Sequence, residues 1–118
     1  MEKAMHPEDL ARLFIRRANA GDLEGLVALY EADAVVAVGE PVAQGHDEIR
    51  RFYAGILEKK REFPPVDQMA PVINGDLAIT VSRLPNGNLS AEIARRQRDG
   101  SWRWTVDQLK IKPIRPEG

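Results

Sequence analysis

The chain has 118 residues, 43% hydrophobic and 30% charged, a size and balance that suit one compact domain over residues 1–118 and exclude a disordered or fibrous chain. Lys and Arg number 17 against 18 Asp and Glu, so the formal charge of −1 leaves no electrostatic footprint for nucleic acid or an anionic membrane surface. Cysteine is absent, which excludes disulfide frameworks, thiolate nucleophiles and thiolate-bound zinc.

No apolar run approaches the roughly 20 residues of a spanning helix. The first residues, Met1 to Met5, lack the apolar stretch of a secretion signal. The reading is a cytoplasmic protein with neither a membrane nor a nucleic acid as partner.

Pro7, Glu8 and Asp9 open a helix whose Leu10, Phe14 and Ala18 share one face, and Gly21 ends it. Asp22 caps a second, short helix with Leu23, Leu26, Val27 and Tyr30 on its apolar stripe. Ala34 to Val38 reads as a strand buried on both faces and stopped by Gly39 and Pro41. After Gly45, His46 or Asp47 caps a third helix carrying Ile49, Phe52, Tyr53, Ile56 and Leu57.

From Phe63 the period changes to strict alternation, punctuated by Pro64-Pro65, Asn74-Gly75, Asn86-Gly87 and Asp99-Gly100. This predicts three or four antiparallel strands, and hence an α+β fold with the helices first and a curved sheet second. The tail from Lys112, with Pro113 and Pro116, is expected to fray.

A two-residue turn at Asp99-Gly100 places Glu92 opposite Asp107, Ala94 opposite Thr105 and Arg96 opposite Arg103. A two-residue turn at Asn86-Gly87 sets Val81 beside Glu92. One sheet face then carries Leu77, Ile79, Val81, Ala94, Leu109 and Ile111 around Glu92, Thr105 and Asp107. The other carries Trp102 and Trp104 among small and polar neighbours. If the helices cover the aliphatic face, the tryptophan face is left for a second copy, predicting a homodimer through Trp102 and Trp104. A three-residue loop with a bulge breaks this register.

Glu92 and Asp107 in an apolar cavity could not both ionise, because desolvation and mutual repulsion each favour the protonated form. One becomes an acid and the other a base, the arrangement for proton transfer beside a carbonyl. The competing reading is a structural charge cluster neutralised by Arg96 and Arg103. His46, with only His6 as company, reads as a capping or surface group, and no metal site or cofactor is expected. Tyr30 and Tyr53 lie on apolar stripes, as core first and pocket donors second.

The runs from Ala20 to Tyr30, from Gly45 to Tyr53 and from Arg98 to Trp102 resemble, in that order, the nuclear transport factor two-like superfamily, particularly its ketosteroid isomerase and SnoaL-like branch, over about residues 8–111. The resemblance implies a cone-shaped fold, with three N-terminal helices on a strongly curved, mostly antiparallel sheet around a blind apolar pocket, usually dimeric through the sheet. The side chains implied at that pocket are Phe14, Tyr30, Val38, Phe52, Tyr53, Ile56, Val81 and Leu109. Phe14 stands where the isomerase has a tyrosine, and Val38 where it has an aspartate base, the nearest carboxylate being Glu40. Glu92 matches the family's neutral carboxylic acid donor, and Asp107 the acid/base aspartate of SnoaL-like cyclases.

The function expected is binding of a small apolar molecule, with cofactor-free acid/base catalysis of an isomerase, cyclase or dehydratase type. The alternative is a non-catalytic ligand-binding or dimerisation module.

Overall fold

The computed structural model describes residues 1–38, 42–59 and 62–111. Gly39, Glu40 and Pro41, and the tail from Lys112, lie outside the described residues.

Helices come first: α1 (Asp9–Asn19), α2 (Leu23–Val27) and, later, α3 (Gly45–Lys59). Asp9 in the first turn of α1 and Arg16 and Arg17 in its last complement the helix dipole, and Leu10, Leu13 and Ala18 are buried. The chain turns at Gly21, whose φ of 70° suits glycine. Asp22 caps α2 by accepting from the Gly25 N–H at 2.9 Å, as its position predicts. Tyr30 does not close α2. It begins strand β1 (Tyr30–Ala37), which is longer than the run Ala34–Val38 and leaves Val38 beyond its end.

The remaining strands are β2 (Val42–Gln44), β3 (Asp67–Gln68), β4 (Val72–Asn74), β5 (Leu77–Arg83), β6 (Leu89–Arg96) and β7 (Trp102–Gln108). The sheet runs β2-β1-β7-β6-β5-β3, with β4 also on β5. Among the described residues only the central β1–β7 pair is parallel; the others are antiparallel. The fold is thus α+β, with the helices on the concave face of a curved, open sheet. Among the described residues no helix is long and apolar enough to cross a membrane.

Both long hairpins depart from the expected turns, for one reason. A two-residue turn of the Asn-Gly type needs positive φ at both central residues. Here only the glycines, Gly87 and Gly100, have it. The side chains of Asn86 and Asp99 instead accept from the N–H groups of Asn88 and Ser101, each at 2.9 Å, and the loops have three residues. The register therefore slips by one, and Thr80, not Val81, lies opposite Glu92. A one-residue slip exchanges the faces. Ala78, Thr80 and Ser82 point into the core, while Leu77 and Ile79 face outward.

In β7 a second irregularity intervenes. Trp104 pairs with Ala94 and Val106 with Ile93, so Thr105 is an extra residue, a β-bulge. The bulge cancels the slip beyond it, and Glu92 pairs with Asp107 as expected. Trp102 and Trp104 precede it and stay exchanged, at 6% and 3% exposure in the core. They cannot form an outward surface for a second copy. The outward face carries the aliphatic side chains of Leu77, Ile79, Ile93 and Val106, with the exposed Arg83 and Arg95 beside them.

Candidate active site

Concave-face residues of β6 and β7 meet α1 and α3 around a partly open, mostly apolar cavity of about 340 Å³, at the small end of ordinary ligand pockets. Phe14, Tyr53, Ile56 and Leu109, all expected at a pocket, line it together with Glu92 and Asp107. Tyr30 and Phe52 sit behind Tyr53, packed against its ring with centroids at 6.0 and 5.0 Å. Val81 lies on the opposite sheet face because of the register slip. Val38 is 44% exposed past the end of β1, away from the cavity.

The bulge determines which side chains share this wall. Trp104 and Asp107 are three residues apart, an odd spacing that alternation in a regular strand sends to opposite faces. Thr105, as the extra residue, puts both on the cavity side. Sequence alternation alone therefore misses Trp104 as a lining residue, and also Ser82, which the slip turns inward.

The two carboxyls differ in their partners. Tyr30 donates to Asp107 Oδ2 at 2.5 Å, and the hydroxyls of Tyr30 and Tyr53 are 2.7 Å apart. Tyr30 has one proton and spends it on the carboxylate, so Tyr53 donates to Tyr30, giving a directed chain from Tyr53 through Tyr30 to Asp107. Glu92 accepts longer bonds from neutral hydroxyls, Thr80 at 3.3 Å and Ser90 at 3.2 Å. Asp107 Oδ1 has no hydrogen-bond partner among the described residues.

Burial is the main cause that pushes the Asp107 carboxyl up to about 7, opposed by the Tyr30 bond. Burial and then the Asp107 charge push Glu92 up to about 8, opposed by Ser90 and Thr80. Tyr30 and Tyr53 are held far above the usual phenol range, first by burial and then by Asp107, so both stay protonated. Near neutrality the pair carries one charge, favoured on Asp107 by its shorter phenol bond, and one proton on Glu92.

The arginine cluster does not form. Arg96 pairs with Asp76 at 2.6 Å, and among the described residues no ion pair joins Arg103 to Glu92 or Asp107. Among the described residues no cation pairs with Glu92 or Asp107, and no group of His, Asp and Glu is placed to hold a metal. His46 acts structurally: its Nε2–H donates to the Tyr30 carbonyl at 2.7 Å and ties α3 to β1.

A family model described as the SnoaL-like domain matches residues 11–112. Among solved structures, a ketosteroid isomerase-like protein from Erwinia carotovora atroseptica is 23% identical with a TM-score of 0.67, over 90% of this chain and 94% of that one. A Nostoc punctiforme protein of unknown function with a cystatin-like fold is 19% identical at a TM-score of 0.70, over 92% and 90%. A nuclear transport factor two-like protein from Novosphingobium aromaticivorans, also with a cystatin-like fold, is 22% identical at 0.62, over 85% and 75%. At these identities the structural likeness is one of fold.

Proposed function

Because the chain belongs to the SnoaL-like domain family, we propose that its cavity binds a small, mostly apolar carbonyl compound and that Asp107 and Glu92 move protons on it without a cofactor. The observation that carries this reading is a facing pair of carboxyls, buried against apolar walls with no cation among the described residues. Such a pair destabilises the fold, and its retention in a cavity points to chemistry.

Asp107 takes a proton from the carbon next to the carbonyl, and that C–H electron pair becomes the enol double bond. The carbonyl π pair moves to oxygen, which takes the proton from Glu92. The reverse sequence at another carbon completes an isomerisation; in a dehydration the enol O–H returns its proton to Glu92 as the carbonyl re-forms, and the β-hydroxyl leaves as water with the proton that Asp107 had taken. Phe14 supplies wall and no hydroxyl, so the proton for the developing oxyanion comes from Glu92.

Thermal unfolding against steroids, aromatic polyketides and small cyclic ketones tests the reading. A ligand at 100 times its Kd adds about 2.7 kcal/mol. Stabilisation by one class that is lost in Asp107→Asn supports it; no shift with any class contradicts it. A ligand that binds wild type and Asp107→Asn equally, with no turnover, supports a binding module instead.

The same reading includes a homodimer, now through the aliphatic outer face rather than the tryptophans. Leu77, Ile79, Ile93 and Val106 are each 37–44% exposed there, on neighbouring strands. Ile79→Lys is expected to convert a dimer to a monomer in sedimentation without loss of fold. A dimer that withstands the lysine rejects this surface.

A further inference from the structure

We infer that the indole N–H of Trp104 is the ligand-selecting donor of the cavity, admitting molecules that bring a carbonyl oxygen to the wall bearing Asp107. The inference rests on the pocket reading above and adds to it the residue that sets specificity.

Trp104 lines the cavity and is 3% exposed, yet its Nε1 has no hydrogen-bond partner among the described residues. A buried polar group of this kind calls for a reason. Phe14 and Tyr30 pack against the indole ring, with centroids at 5.9 and 5.1 Å. Four hydroxyls near the carboxyls are committed: Ser90 and Thr80 donate to Glu92, Tyr53 to Tyr30, and Tyr30 to Asp107.

The indole is a donor that neither accepts nor titrates in the ordinary pH range. It therefore rewards an oxygen acceptor at any pH and rejects a hydrocarbon of the same shape, since that ligand leaves the N–H unpaired. The Thr105 bulge brings Trp104 to the same cavity wall as Asp107, whose Oδ1 is an acceptor that also lacks a partner among the described residues. One unpaired donor and one unpaired acceptor on a shared wall suit a carbonyl with an acidic hydrogen on the adjacent carbon.

The test uses 1-tetralone and tetralin, two bicyclic molecules that differ by the carbonyl oxygen, titrated into the ¹⁵N-labelled protein. The Trp104 indole resonance is identified by its loss in Trp104→Phe, and Trp102 serves as the internal reference. The expected result is that 1-tetralone moves the Trp104 indole proton downfield and binds about tenfold more tightly than tetralin. Trp104→Phe is expected to bring the two ligands within about twofold of each other while still binding tetralin. Discrimination that survives Trp104→Phe, or an indole signal unmoved by bound 1-tetralone, overturns the assignment and leaves the pocket reading standing. If neither compound binds at millimolar concentration, the pocket reading fails and the assignment falls with it. If Trp104→Phe does not fold, Trp102→Phe identifies the two indole signals by elimination, and the wild-type Trp104 signal decides the matter.

Discussion

Asp107→Asn is expected to melt at a higher temperature than the wild type at pH 8 and to lose about 10²–10⁴-fold in proton-transfer rate. Its amide oxygen still accepts from Tyr30, so the aromatic chain behind it is kept, while the buried charge and the base are gone. Folding raises the pKa of both Asp107 and Glu92, so between about pH 4 and 8 the folded state holds more protons than the unfolded one. Stability conferred by the protonated pair is complete at the acid end of that window and is lost as pH rises through it. At pH 8 removal of one buried charge recovers on the order of 2 kcal/mol, several degrees in a domain of this size.

The exposed carboxylates act in the opposite sense. Arginine hydrogen bonds hold Glu2 and Glu24 below the usual range, and Lys3 holds Asp99 below it, so these contributions fade as pH falls through the acid range. They are surface pairs and weigh little. Wild type should therefore be most stable near pH 4–5, and the Asp107→Asn curve should be flatter from there to pH 8. Chemical denaturation across that range reads both. A wild type that gains stability steadily from pH 5 to 8 contradicts the burial of this pair.

Tyr30→Phe is the second large effect. It removes the hydrogen bond that lowers the Asp107 pKa and leaves Tyr53 without its acceptor. The cost is expected to be about 1–3 kcal/mol, the scale of unpairing a buried polar group. The same loss raises the Asp107 pKa further, so the acid limb of the pH–rate profile, where the base must be deprotonated, moves to higher pH by about one unit. Tyr53→Phe touches Asp107 only through Tyr30 and should move that limb less. A profile unchanged in Tyr30→Phe limits Tyr30 to a packing role.

The helices and their order were legible because their signals are local: Pro7 and Asp9 at one start, the Asp22 cap at another, and apolar residues at helical spacing. The Glu92–Asp107 pairing was legible too, but only because two one-residue departures cancel before that point. The faces of β5 and of the first half of β7 were not. Their register depends on whether Asn86 and Asp99 adopt positive φ, and the side-chain bonds to Asn88 and Ser101 decide against it. A bulge at Thr105 has no composition signal of its own, so alternation points the tryptophans outward when they are core and cavity wall. Periodicity places Tyr30 on a helix for a related reason: an apolar stripe at i, i+3, i+4 and i+7 continues past the point where α2 stops after five residues.

The most direct test of the acid/base pair is a ¹³C NMR titration of the side-chain carboxyls, with Glu92 and Asp107 identified by Glu92→Gln and Asp107→Asn. Two coupled steps above pH 6 are expected, with the Glu92 step moving down in Asp107→Asn yet staying above the usual glutamate range because its burial remains. If both carboxyls titrate below pH 5, as surface carboxylates do, the pair is solvated and paired, and the account of a buried acid and base is wrong.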